Sequence, residues 1–341
     1  MRIAVVREVL PGESRVALVP EVIGGLIAAG WEVAVEPGAG RGALIPDDAY
    51  EAAGAVVVEN PLADAVVVAS VQPLAPDLLV GGTATVSFFP AGSLLADVAV
   101  RRDRQITTFG MEFVPRISRA QSMDALSSQS LVAGYRAAIV AAGRLRQFFP
   151  LNMTAAGTIP PAQVLVLGAG VAGLQAIATC KRLGAVVKGY DVRAAAAEEI
   201  RSMGAVAVDL ELPTLEGSGG YAREMTEERA ELQRERLTPY VAAADALITT
   251  AAIPGRQAPL LVTRSMVEQM RPGSVVVDLA ADSGGNVEGV QPGAVVAMGG
   301  AMVWGGSNVP SQLPAPASRL YAHNIANVIM LMTRDGTFAP D

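Results

Sequence analysis

The chain has 341 residues, enough for two domains of ordinary size, each with its own core. Its 26 basic and 33 acidic residues give a net charge of −7 without a basic cluster, which argues against nucleic acid or an anionic membrane surface as a partner. The mean hydropathy of +0.38 comes from Ala, Val and Gly in many short runs, none reaching the ~18 apolar residues of a membrane span.

Met1 to Glu8 already reads as a strand (RIAVVRE) with no basic leader or cleavage site, so no signal peptide is expected and the cytosol is the expected compartment. PEVIGGLIAAG (helix), WEVAVE (strand), PDDAYEAAG (helix), AVVVE and AVVVASV (strands) follow, and TATVSFF and ITTFGME continue the series. Such alternation predicts a parallel sheet with helices on its faces. From Ser122 to Phe149 turn signals thin out and the apolar spacing predicts one long helix linking two domains. After Pro160 and Pro161 a second series begins: QVLVLGAG, a helix to Gly184, AVVKGYD, a helix to Gly204, ALITTAA, a helix ending near Met270, and SVVVDLA. Its near-continuous Val/Leu/Ile strands suit a sheet covered on both faces. The final ASRLYAHNIANVIMLM is helical and is expected to fold back on the first domain. The expected fold is α/β: two Rossmann-like parallel-sheet domains joined by a long helix, with a cleft between them. Residues 1–126 plus 307–341 form the first domain and 127–306 the second.

Gly168, Gly170 and Gly173 form GAGVAG between the strand QVLVL and the helix LQAIATCKRLG. The first glycine permits a tight turn, the second a close approach of backbone to pyrophosphate, the third close packing of helix on strand. The next strand ends on Asp191, 23 residues past Gly168. A carboxylate there accepts from adenosine ribose hydroxyls and repels a 2′-phosphate, so NAD is favoured over NADP. Arg193 is read as a solvated or adenine-stacking side chain. The lone cysteine, Cys180, reads as a small core residue.

Proton-transfer groups are scarce. The single histidine is His323, in the C-terminal helical run, and the only lysines are Lys181 and Lys188. Dehydrogenases of alcohols or amino acids must move a proton with the hydride, commonly through His or Lys. Transfer between two nicotinamides needs no net proton exchange. No metal-ligand cluster, Walker loop or GxSxG elbow is present in the sequence.

The stretch Met111–Ser130 concentrates Arg116, Arg119, Gln121, Asp124, Ser127 and Ser128. Gln121, Asp124 and Ser127, spaced by three, share one face of a turn or helix start, and Arg116 can pair with Asp124. The segment alone is readable as a capped helix start or as a binding element. With it, however, PRISRAQSMDALSSQS, GAGVAGLQAIATCKRLGA, GGYAREM, ITTAAIPGRQAP and GSVVVDLAADSGGN stand in order along nearly the whole chain. Together they resemble the NAD(H)-binding component of the proton-translocating (Re/Si-specific) nicotinamide nucleotide transhydrogenases, in the alanine dehydrogenase/pyridine nucleotide transhydrogenase family.

The resemblance implies NAD (NADH) on this chain and NADP on a partner subunit. It implies a catalytic loop of Arg116, Gln121, Asp124 and Ser127 at the nicotinamide end, with Gln121 reaching toward the NADP-bearing partner. Gly168, Gly170, Val171, Ala172, Gly173, Asp191, Val192 and Arg193 match its pyrophosphate and ribose site. Gly220 and Tyr221 match a loop that closes over nucleotide, and Gln233 and Ala251 to Ile253 match further contacts. Ala252 stands where the family usually has Leu. A homodimer, membrane-embedded and NADP-binding partner subunits, and a cytoplasmic, peripheral position at the inner face of the membrane through those partners are implied as well. The chain's tail is shorter than is usual in the family.

Alanine dehydrogenase, which shares the fold, is the alternative. Arg15 matches the arginine such enzymes use for the substrate carboxylate. Ala69, Ser70 and Val71 offer no amine where their lysine falls, though, and TATVSFFPAGS has no histidine. A non-catalytic NAD-sensing module would keep the glycine turn and Asp191 but lose the 116–127 cluster, which is intact.

Overall fold

The computed structural model describes residues 1–213, 226–253 and 255–340. The chain divides into two compact units, Met1–Gln129 with Pro310–Asp341, and Ser130–Val309.

The first unit opens with β1 (Arg2–Val5), α1 (Pro20–Ala28), β2 (Glu32–Val35), α2 (Asp47–Ala52) and β3 (Val56–Val57), then β4 (Ala65–Ala69), β5 (Ala84–Ser87), α3 (Leu95–Asp103) and β6 (Thr107–Gly110). The strands form a six-stranded parallel sheet in the order β3-β2-β1-β4-β5-β6. Its register sets Ile3 beside Val33 and Val67, and these side chains are fully buried. α1 begins on Pro20, whose missing N–H costs nothing in a first turn, and buries Val22, Ile23 and Leu26. α3, which the sequence reading lacks, buries only Arg101 from its own length.

α4 (Ala125–Arg144) runs on into the second unit. There follow β7 (Asn152–Thr154), β8 (Gly157–Ile159), β9 (Gln163–Leu167), α5 (Val171–Arg182), β10 (Val186–Tyr190), α6 (Ala196–Ser202), β11 (Val206–Ala207), α7 (Glu227–Ala242), β12 (Ala246–Thr249), α8 (Arg264–Glu268), β13 (Val275–Asp278), β14 (Val295–Met298) and β15 (Ala301–Gly305). Seven strands form its sheet in the order β11-β10-β9-β12-β13-β15-β14. The sheet is not wholly parallel, because β14 and β15 run antiparallel with Met298 opposite Ala301. Only two residues, Gly299 and Gly300, join them, and so short a link can return the chain only as a hairpin.

The chain then rejoins the first unit as α9 (Pro314–Leu331) and the hairpin β16 (Thr333–Arg334) and β17 (Thr337–Phe338). α9 buries Tyr321, Ile325 and Ile329 in the core that holds Ile3 and Val33. His323, on its outer side, meets Glu21 of α1, where Arg319 also pairs. No helix among the described residues is long and apolar enough to cross a membrane.

Candidate functional site

β9 ends on Leu167, and the chain turns at Gly168 with φ +95°, a left-handed conformation that a side chain disfavours. A Cβ on Gly173 would lie 1.8 Å from the Gly168 carbonyl oxygen, so only glycine lets α5 start this close to the strand. Gly170 differs: a Cβ there would meet nothing within 4 Å, and it caps α5 without any side-chain hydrogen bond. The first turn of a 12-residue helix therefore faces open space with its N–H groups forward, a cradle for an anionic group. Val171 and Ala172 lie in that turn. The Ala172 carbonyl also sits where a Cβ on Gly134 of α4 would fall, at 2.1 Å, which seats α4 closely against α5.

Asp191 follows β10 directly. Its carboxylate accepts from the Ala169 N–H (2.8 Å) and from the N–H (2.9 Å), Nε (2.9 Å) and Nη2 (3.1 Å) of Arg193. Arg193 is therefore an ion-pair partner of Asp191, which the sequence did not suggest, and its pKa is pushed up by that carboxylate. Four donors fill the lone pairs a carboxylate offers. Beside this pair lies a cavity of about 210 Å³, lined in part by Tyr190, Val192, Val208, Asp209 and Leu212. Gln233, expected as a nucleotide contact, is 1% exposed and lies behind Tyr190, accepting from its hydroxyl at 3.2 Å. It reaches the cavity only by holding Tyr190. Gly220 and Tyr221 lie outside the described residues.

The Ala251–Ile253 segment is positioned by residues the sequence reading assigned no role. Buried Asn286 accepts from the Ala251 N–H (3.0 Å) and donates to the Ala251 carbonyl (2.8 Å). Asn286 is itself held by Asp278 at the end of β13, whose oxygens accept from the backbone N–H groups of Ala280, Asn286 and Val287. Burial pushes the Asp278 pKa up against those bonds. The methyl of Ala252 is exposed, so what this segment offers is mainly backbone. The signal in the sequence is the acid closing VVVD, a strand otherwise wholly apolar.

In the first unit, a 3-10 turn at Ser118–Met123 leads into α4. Asp124 caps that helix, accepting from the Ser127 N–H at 2.9 Å and the Ser127 hydroxyl at 2.6 Å. The partner that fixes Asp124 is thus Ser127, whereas the sequence suggested Arg116. Arg116 and Gln121 are exposed. Asn324 and Asn327 of α9 donate to the Ser122 carbonyl and hold the turn from below. Elsewhere in this unit, Arg15 is buried against Glu13, with Nε to Oε1 at 2.8 Å and Nη2 to Oε2 at 2.6 Å, while Nη1 donates to Gln129 at 2.8 Å. Among the described residues no group of His, Cys, Asp and Glu could hold a metal ion.

Comparison with known proteins places these features in a family. The profile described as "Alanine dehydrogenase/PNT, N-terminal domain" matches residues 4–133, and "Alanine dehydrogenase/PNT, C-terminal domain" matches 137–340. An NAD(P) transhydrogenase subunit alpha chain of Rhodospirillum rubrum is 49% identical over 96% of this chain and 89% of its own length. The crystal structure of transhydrogenase from Sinorhizobium meliloti superposes with a TM-score of 0.88 at 43% identity, covering 97% of this chain and 93% of that one. "Alanine dehydrogenase" of Bacillus subtilis is more distant, 32% identical over 85% of this chain and 73% of its own length. Matched in both of its halves, the chain belongs to the alanine dehydrogenase/PNT family.

Proposed function

We propose that this chain is the NAD(H)-binding component of a proton-translocating NAD(P) transhydrogenase, exchanging hydride with NADP(H) held on a partner subunit. The observation that carries the reading is the uncapped start of α5 at Gly170, with Asp191 closing the next strand. This arrangement fits a dinucleotide: open N–H groups for pyrophosphate and a carboxylate for ribose, which disfavours a 2′-phosphate. When bound, the nicotinamide supplies the hydride chemistry. The chain's own residues bind and orient it, with Arg116, Gln121, Asp124 and Ser127 serving the nicotinamide end. Ribose hydroxyls replace donors of Arg193 on Asp191.

The alanine dehydrogenase reading is disfavoured by Arg15. Its guanidinium is taken by Glu13 and Gln129, which leaves a substrate carboxylate to compete with an internal one. Ala69, Ser70 and Val71 supply no proton carrier there. A homodimer is supported by the β7–β8 hairpin, where Leu151, Met153 and Ile159 expose apolar surface beside exposed Phe148. Position at the inner face of the membrane, through membrane-embedded partners, belongs to the same proposal, as do Re/Si specificity and inactivity of the isolated chain.

The test mixes the chain with a transhydrogenase NADP-binding domain and follows hydride exchange between NADH and an NADP analogue. Exchange is expected, falling at least about tenfold with Gln121→Asn or Asp124→Asn through loss of transition-state positioning. Exchange unchanged in both variants defeats the site assignment, and alanine-dependent NAD reduction by the chain alone defeats the function.

A further inference from the structure

The cavity beside Asp191 is, at about 210 Å³, smaller than the ~300–1,000 Å³ of sites that take a whole drug-sized ligand. It accepts one portion of a larger molecule. Val192, Ala197, Val208 and Leu212 give it apolar walls suited to the faces of a flat ring, and its polar groups include Asp209 and Arg229. Arg229 stands in the first turn of α7, one turn before Gln233. Its Nη2 donates to the Pro213 carbonyl at 3.0 Å, but its Nε and Nη1 are buried and have no accepting partner among the described residues. The Tyr190 hydroxyl lies near the guanidinium without the alignment of a hydrogen bond to either nitrogen, and its own hydrogen is given to Gln233. Buried donors on a charged group are rarely left unpaired, because the hydrogen bonds they made to water are lost without replacement. A ligand that brings an acceptor removes that cost.

An anion is a poor candidate for that acceptor, since Asp191 and Asp209 line the same space and would face it. A neutral ring nitrogen meets no such repulsion. In Rossmann sites the acid ending the second strand holds the ribose. A cavity adjoining that acid is where the base carried by the ribose falls. We propose that Arg229 is a specificity-determining residue for the base of the bound dinucleotide, donating to a ring nitrogen while Asp209 accepts from the neighbouring exocyclic amine. Donor and acceptor together match the edge of adenine and oppose that of hypoxanthine, which offers N–H and carbonyl in the reverse sense. The proposal rests on the NAD(H) reading above.

The experiment measures dissociation constants of the full chain for NADH, for deamino-NADH (hypoxanthine in place of adenine), for NADPH and for reduced nicotinamide mononucleotide, which has no adenine. The wild type is expected to bind NADH about tenfold more tightly than deamino-NADH. Arg229→Leu should weaken NADH about tenfold, narrow the preference for adenine, and leave the mononucleotide unchanged. Asp209→Asn serves as the second variant should Arg229→Leu fail to fold, and it too should narrow the preference. An unchanged NADH affinity and base preference in the variants overturns the role of Arg229. So does a variant whose loss is confined to NADPH, which would assign the guanidinium to a 2′-phosphate. A wild-type chain that binds neither NADH nor the mononucleotide defeats the dinucleotide reading itself, a result distinct from either.

Discussion

Glu13 stands where an external carboxylate would bind Arg15, and truncating it gives a sharp test. The pair is closed to solvent, with the Arg15 side chain 4% exposed and that of Glu13 0%. Despite burial, Arg15 holds the Glu13 carboxyl down to about 2. Glu13→Ala leaves a buried guanidinium still bonded to Gln129 but without the carboxylate of Glu13, and breaking a buried pair from one side costs roughly 3–5 kcal/mol. Some of this is recovered from Glu8. Its carboxyl, pushed up to about 7 by burial with Glu13 adding repulsion, is already mostly ionised at pH 8, and loss of Glu13 relieves that repulsion and leaves Glu8 as the carboxylate facing Arg15. The expected net loss at pH 8 is therefore at the lower end, about 3 kcal/mol. A small carboxylate can refill the gap, and acetate at a hundred times its dissociation constant would restore about 2.7 kcal/mol. Urea denaturation of wild type and Glu13→Ala at pH 8, in acetate and in chloride of equal ionic strength, reads both quantities. A variant within ~1 kcal/mol of wild type, or one that acetate and chloride stabilise equally, would refute the account of Arg15 as internally satisfied.

Glu8 gives a pH signature of opposite sign to that of Glu13. Because its folded pKa is raised from 4.5 to about 7, the fold keeps a proton that the unfolded chain releases, and stability falls between those values by at most about 3 kcal/mol. Glu8→Gln should flatten that region of the profile and be more stable than wild type at pH 8, while an unaltered slope contradicts the assignment. Glu13, lowered to about 2, contributes stability above 4.5 that is lost as pH falls toward 2, and this acid limb should survive in Glu8→Gln. The glycine turn makes a paired prediction. Gly173→Ala should destabilise by more than about 3 kcal/mol, since its Cβ would have to displace the Gly168 carbonyl, while Gly170→Ala should melt like wild type yet bind NADH at least about tenfold more weakly. Normal NADH affinity in Gly170→Ala, by titration calorimetry, would remove the pyrophosphate from this turn. Asp191→Asn sets an amide N–H against donors of Ala169 and Arg193, with an expected loss of about 2 kcal/mol in stability and an NADH complex weakened, though by no more than about tenfold, because the ribose only exchanges with internal donors. Retention of full affinity by that variant would move the ribose elsewhere.

Much of the fold was legible because its strands are short apolar runs separated by glycine-bearing turns, and the motif glycines need backbone geometries that few other residues adopt. What stayed illegible had no such pattern. α3 buries a charged residue rather than an apolar stripe, and α7 carries nine charged or polar side chains before its Pro239, so neither announces a face. β14 and β15 were missed because their hairpin depends on two glycines in a region already crowded with them. At the site, Asp191 could be found from its distance to Gly168, but its pairing with Arg193 could not, since adjacency in sequence does not fix a rotamer. Asn286 and Arg229 are likewise ordinary in the sequence. Their significance lies in which donors and acceptors the surrounding chain leaves unmatched.

On the proposed dinucleotide reading, the bond between Asp191 and Arg193 bears on how quickly nucleotide comes and goes. A carboxylate already saturated by an internal guanidinium takes up a ribose by exchanging one set of donors for another, so the net gain on binding is small. On release the guanidinium returns, and the departing hydroxyls leave behind no bare buried charge to slow them. On the proposed function, a site built in this way gives up tightness for turnover, which suits a subunit that must exchange its nucleotide between successive hydride transfers.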